Sequence, residues 1–211
     1  VITSGSPSLQ NVLIADNVGN AGGGGVRSFW TAAPLLNRTT VVNNSGGGVF
    51  GGDGSHITIT NSIVSQNEGF EIGFSNATFS VSYCNVSGGF VGSGNLDVIS
   101  RFRDSEDGKY NLLASSLCIN AGHPDSTDSD GTRADMGAYP YLNSYTGPDW
   151  HTTTSGDDIL GTGELSNPFA SIQAGINFAN NHDSVFVEPG TYTENVHFRG
   201  HSVLVRGTEG A

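Results

Sequence analysis

The densest group of residues able to do chemistry is the run HPDSTDSDGTRADMG, which carries Asp125, Asp128, Asp130 and Asp135. Oxygen ligands on near-alternate residues followed by glycine suit calcium, a hard cation that prefers carboxylates. The run is not an EF-hand, because no glutamate stands at the twelfth position of any aligned loop. It reads equally as a polar terminal loop, with Asp135 paired to Arg133 or capping backbone amides. Elsewhere the chemistry is thinner. Lys109 sits in the turn string SEDGKY, Asp157–Asp158 in a glycine-rich loop, and Arg199 beside Val196 and Phe198 with no acidic trio in a neighbouring column. Glycoside hydrolysis needs two carboxylates about 5–10 Å apart, whereas Asp16, Asp53, Glu68 and Glu71 are scattered over different repeat positions. His56, His123, His151, His182, His197 and His201 lack zinc-site spacing, and no G-x-S-x-G elbow occurs. The sequence assigns no catalytic residue, and calcium is the one ion it suggests.

The elements that must position these residues follow from composition. The chain has 211 residues, 36% of them apolar, with 31 glycines. Only 13% are charged, against a usual share of roughly 25%. Twenty acids outweigh seven arginines and one lysine, for a net charge of −12. Such a chain repels phosphate backbones, so nucleic acid is excluded as a partner. No apolar run approaches the roughly 18 residues that span a membrane. The chain opens at Val1 without a signal peptide, which reads as a processed product or a window from something longer. Asparagine, serine and threonine, with glycine at the turns, suit short strands and tight turns.

The first third repeats itself. Residues 6–17 read SPSLQNVLIADN, residues 33–44 APLLNRTTVVNN, and residues 56–67 HITITNSIVSQN. Aligning Asn17, Asn44 and Asn67 gives steps of 27 and 23 residues, and a weaker fourth copy follows 22 residues later. The apolar columns are Leu9/Leu36/Ile59/Val81 and Ile14/Val41/Val64/Val86, around a small-residue column of Val12/Thr39/Ser62/Cys84. Short alternating strands at a period of 20–27 residues, punctuated by glycine, indicate a solenoid. No copy holds a stretch with 3.6-residue spacing, which excludes helical repeats. The predicted fold is all-β: a right-handed parallel β-helix whose coils stack about 4.8 Å apart. The column Asn17, Asn44, Asn67 reads as an asparagine ladder in which each residue takes the left-handed conformation and donates its amide along the stack.

Two further strings complete the picture. Residues 110–139, YNLLASSLCINAGHPDSTDSDGTRADMGAY, are similar to the closing segment of secreted right-handed parallel β-helix proteins, the pectate-lyase-like superfamily. Bacterial members end with a "SPCIDAG … DG(S/T)RxDxGAY" string, and here Leu117 replaces the proline. Residues 148–193 resemble the opening segment: a glycine–aspartate loop from Thr154 to Gly163, then NPFASIQAGINFAN, then DSVFVEPGTYTEN. Read on its own, that stretch has Asn167 as a helix N-cap and Pro168 at the first helical position. Phe169, Ile172, Ile176 and Ala179 then form an apolar stripe over a helix spanning 168–180. Val185/Val187, Val196/Phe198 and Val203/Val205 alternate as strands. The resemblance implies that the helix plugs an open first coil. It also implies an extracellular setting and, in the lyases, calcium held by clustered carboxylates beside a lysine or arginine base.

The order is the informative part, because the closing string precedes the opening one. Residues 1–141 read as central and closing coils, 142–166 as a linker, and 167–211 as a capping helix with first coils. Three arrangements fit: a covalent tandem, a circular permutant in which 150–211 covers its own first coil, and subunit exchange. Trp150, Phe169, Ile172, Ile176 and Tyr192 are expected at the interface so formed. Trp30, Tyr139, Tyr141 and Tyr145 either seal that interface or stack on sugar rings. The expected function is an extracellular fibre, stalk or surface array whose partners are copies of itself, head to tail. The alternative is a carbohydrate-binding or polysaccharide lyase-like module. Asn37, Asn43, Asn76 and Asn85 each begin a glycosylation sequon. Cys84 reads as a buried thiol, and its bonding to Cys118 stays open.

Overall fold

The computed structural model describes residues 1–19, 24–103 and 107–209. These form β1 (Ser8–Ala15), β2 (Val26–Ser28), β3 (Leu35–Val42), β4 (Val49–Gly52), β5 (His56–Thr60), β6 (Ile63–Ser65) and β7 (Ile72–Ser75). There follow β8 (Thr78–Ser82), β9 (Asn85–Val86), β10 (Phe102–Arg103), β11 (Asn111–Leu112) and β12 (Asp149–Thr152). Helix α1 (Ile172–Phe178), β13 (Ser184–Val187) and β14 (Leu204–Gly207) complete the order.

The chain winds as a parallel β-solenoid. One sheet stacks β1 on β3, β3 on β5 and β6, and these on β8 and β9. A second sheet stacks β2, β4 and β7, all parallel. The register is the one read from the repeats: Leu9 lies beside Leu36, Leu36 beside Ile59, and Ile59 beside Val81. Ile14, Val41, Val64 and Val86 line up likewise. Leu36, Val41, Val49, Ile57, Ile59 and Val64 are fully buried between the two sheets. Stacking identical faces in this way removes apolar surface from water at every coil, which is why the columns keep their character.

Corners are set by left-handed residues. Asn11, Arg38, Asn61 and Tyr83 share one column at φ of 55°, 51°, 49° and 53°. Asp16, Asn43 and Gln66 form another, and Trp30, Asp53 and Asn76 a third. The left-handed residue of the asparagine column is thus the one before Asn17, Asn44 and Asn67. The reason is burial: Asn44 is fully buried, with Nδ2 donating to the carbonyls of Ile14 and Val42, so the reversal falls on its exposed neighbour.

Beyond β9 the closing segment changes course. β10 and β11 pair antiparallel, and residues 123–138 then run back along the outer face of the first sheet. The Gly137 amide donates to the Asn61 carbonyl at 2.8 Å, and the Ala138 amide to Thr40 Oγ1 at 2.9 Å. The φ of Gly137 is 105°, and a Cβ there would press on Thr40 and Ile63. Only glycine lets the strap lie this close.

A third parallel sheet, β12–β13–β14, belongs to the opening segment. Its first strand lies inside the stretch read as linker. Phe169 bridges Thr152 on the other side of β12, so residues 167–169 are extended and not helical. The helix is accordingly shorter than 168–180. Ser171 is its N-cap and accepts from the Ala174 amide, while Glu194 takes the amides of Ile172 and Gln173 at 2.8 and 2.9 Å. These bonds satisfy the orphan donors of the first turn. Asn167 is instead held in a turn, its amide on the Glu164 carbonyl.

Candidate interface between two solenoid units

The opening segment packs on the closing segment of its own chain. One buried cluster draws Leu112, Ala114, Cys118 and Ile119 from the closing side and Trp150, Phe169, Ile176, Phe178 and Val185 from the opening side. Trp150 stacks on Phe169 and Phe178 at 6.4 and 5.9 Å, and Phe169 on Phe178 at 5.2 Å. Tyr141 meets Phe178, and Tyr145 meets the edge of Trp150. Residues 150–209 therefore do not cover the first coil, and the circular permutant is not the arrangement adopted. Helix α1 sits between the units and is buried along its length except at Ile172.

A buried polar network crosses the same plane. Asn177 is 1% exposed. Its Nδ2 donates to the carbonyls of Ala114 and Ser116 at 2.9 and 2.8 Å. Its Oδ1 accepts from Gln173 Nε2 and Arg199 Nη1, and its carbonyl from Asn120 Nδ2. Arg199 reaches the carbonyls of Ile119 and Asn120. Burial first, and the charge of Arg133 second, push the Arg199 guanidinium below its ordinary value. Gln173 exchanges two bonds with the backbone of His197. Tyr141 Oη donates to Gly161 and Asn143 Nδ2 to Thr162, which ties the crossing segment to the opening loop.

Trp150, Phe169 and Ile176 of the expected interface lie in this cluster, with Ile172 packed against it. Tyr192 does not join them. Its hydroxyl bonds the carbonyls of Thr152 and Glu188 within its own unit. Asn177 and Gln173 were not singled out from the sequence, although two amides four residues apart in an otherwise apolar helix mark one shared face. Arg199 was weighed there only as a base, and its carbonyl partners lie 79 and 80 residues earlier in the chain.

The four aspartates are engaged separately. Asp125 is exposed beside His123. Asp128 pairs with Arg38 at 3.0 Å and accepts the Asp135 amide. Asp130 accepts from Thr132 and the Asn143 amide. Asp135 accepts the amides of Asn120 and Tyr141 and is not paired with Arg133. Burial pushes Asp135 up to about 8. Among the described residues no three acidic, histidine or cysteine side chains converge on a metal position. Asp128, Asp130 and Asp135 commit carboxylate oxygens to backbone amides, Thr132 and Arg38, and Asp125 stands apart and exposed, so this set does not fit calcium.

The asparagine column forms a run of side-chain bonds. Asn17 donates Nδ2 to Asn44 Oδ1 at 2.8 Å, and Asn44 donates to Asn67 Oδ1 at 2.9 Å. Asn67 ends the run on the Glu71 carboxylate. Of the sequons, Asn76 is exposed at a corner, Asn43 is exposed but bonded to Asp16, Asn37 accepts from Asn61, and Asn85 is fully buried. Cys84 and Cys118 are buried free thiols, both pushed up to about 12 by burial. An axial row of rings, Phe29, Phe50 and Phe70, with steps of 5.9 and 6.0 Å, runs on the outer face of the second sheet beside exposed Trp30. The guanidinium of Arg27 lies over the first two rings.

The chain matches no protein-family model, no curated protein and no solved structure. No helix among the described residues is long and apolar enough to cross a membrane.

Proposed function

We propose that the chain is a structural β-solenoid of the cell exterior, built to stack end to end into a fibre, stalk or surface array. The observation that carries this reading is the junction itself. Closing and opening segments meet through one apolar cluster and one buried network centred on Asn177 and Arg199. A surface of that kind resembles a domain core, as permanent interfaces do. The outer edges of β1 and β14 carry no strand partner among the described residues. A neighbouring unit, in the same polypeptide or in another copy, covers them by continuing the ladder. The resemblance to secreted β-helix proteins supplies the extracellular setting.

Electron microscopy of a polypeptide carrying two copies in series tests the reading. An unbroken rod about twice the length of one copy supports it, and two particles on a slack tether contradict it. A carbohydrate-binding module is the second reading, favoured by exposed Trp30 beside the half-buried row Phe29, Phe50, Phe70, since an exposed aromatic face suits a sugar ring. Retention of the chain on an immobilised polysaccharide, lost in Trp30→Ala, would favour that reading.

A further inference from the structure

Beside the junction lies a cleft of about 330 Å³ to which stacking gives no role. Its walls are Leu96, Val98, Leu117 and Ala121, and its rim carries Arg133 and Arg199. Leu117 is the residue that replaces proline in the closing string, so a departure from that pattern supplies part of the apolar wall. His197 completes the rim.

The two guanidinium groups set the chemistry. Arg133 donates Nε to the Gly122 carbonyl at 2.7 Å, and Arg199 donates to the carbonyls of Ile119 and Asn120. Neither is ion-paired among the described residues, in a chain whose net charge is −12. Both residues line one largely apolar space, and Arg133 is among the causes that depress Arg199. An anion placed between them relieves that repulsion, and a carboxylate matches the planar donor fork of arginine.

We propose that this cleft binds a small amphipathic carboxylate, with its alkyl or aryl body against Leu96, Val98 and Leu117 and its carboxylate between Arg133 and Arg199. A bare inorganic anion leaves the apolar walls wet, and an uncharged alkyl chain leaves both guanidinium groups without a counter-ion. The volume sits at the lower end of the roughly 300–1,000 Å³ of small-molecule sites.

Calorimetric titration of the whole chain separates these chemistries, with octanoate, octan-1-ol, acetate, inorganic phosphate and galacturonate as probes. Saturable binding of octanoate, with at least about tenfold weaker binding of the other four, supports the proposal. Arg133→Gln keeps a donor for the Gly122 carbonyl and should weaken octanoate by about tenfold, the loss of one charge-assisted bond. Leu117→Asp places a carboxylate in the cleft and should abolish binding, with circular dichroism reporting the fold. If either variant fails to fold, the other carries the test, and the probe series on the unaltered chain decides alone if both fail. Octanol binding as well as octanoate, galacturonate or phosphate binding better, no saturable heat from octanoate, or a folded variant that binds like the parent would overturn the proposal.

Discussion

Arg199 Nη1 lies 3.3 Å from Asn177 Oδ1, and each of these side chains also reaches backbone carbonyls of the preceding unit. The pair joins helix α1 to the coil that follows it and fastens both to residues 114–120. Apolar contact alone would let one unit rotate or slide on the other. Directed bonds to four particular carbonyls fix the angle, and a buried donor that missed its acceptor would be strongly unfavourable.

Removing the amide of Asn177 leaves the carbonyl of Ala114 buried without a donor, that of Ser116 with only the Ile119 amide, and Gln173 and Arg199 without the Oδ1 acceptor they share. Asn177→Ala should therefore destabilise the chain by about 2–5 kcal/mol in urea unfolding. A loss below about 1 kcal/mol would show that water replaces the amide and that the network does not hold the junction.

The ladder makes a graded prediction. Asn44 is fully buried and bonds Ile14, Val42 and Asn67, whereas Asn17 stands at the exposed end of the run. Asn44→Ala should lower stability by about 2–4 kcal/mol and Asn17→Ala by less than about 1. Equal losses from the two substitutions would mean that the bonds along the stack contribute little.

Acidity should matter through Asp135. Its carboxyl is raised from 3.8 to about 8 by burial, opposed by the amides of Asn120 and Tyr141. Between those values the native state keeps a proton that the unfolded chain releases, so stability falls as pH rises and levels off above about 8. His201 is pushed down by burial first and Arg199 second, so its contribution lies below the ordinary histidine value of 6.5. Melting measured at pH 7 and pH 8 isolates Asp135, because the buried thiols of Cys84 and Cys118 add a fall in the same direction only as unfolded cysteines ionise, above about 8.5. The parent should melt lower at pH 8, and Asp135→Asn should lose that difference. A parent indifferent to pH over this window would place the carboxylate in its ionised form throughout.

Chelation should do nothing to the fold. With Asp128, Asp130 and Asp135 committed to Arg38, Thr132 and backbone amides, excess EDTA is expected to leave the melting temperature unchanged. A fall of several degrees, reversed by calcium, would show that these carboxylates reorganise around an ion.

The coils of the first unit were legible because stacking repeats one environment: Leu36 and Ile59 sit in the same column for the same reason. The helix boundary was not. Asn167-Pro168 has the chemistry of a helix start, but pairing of Phe169 with Thr152 outcompetes it and delays the helix to Ile172. The asparagine column was visible as a column, whereas which residue turns left-handed depends on burial that spacing does not encode. Trp150 announced an interface by its size. The carbonyls that Asn177 and Arg199 reach could not be read, since backbone acceptors leave no mark on sequence and lie 61 to 80 residues away. The ring row was missed because Phe29, Phe50 and Phe70 stand outside the repeating columns. Its bed is glycine, and a Cβ at Gly47 or Gly73 would overlap Phe70.

The most direct test of end-to-end stacking is amide hydrogen exchange at β14. The amides of Leu204 and Thr208 bond toward β13, so by alternation those of Val205 and Gly207 face the free edge. In a two-copy polypeptide with the first copy isotopically labelled, the account expects Val205 and Gly207 of that copy to become protected relative to the single chain. Exchange at the same rate in both molecules would contradict it.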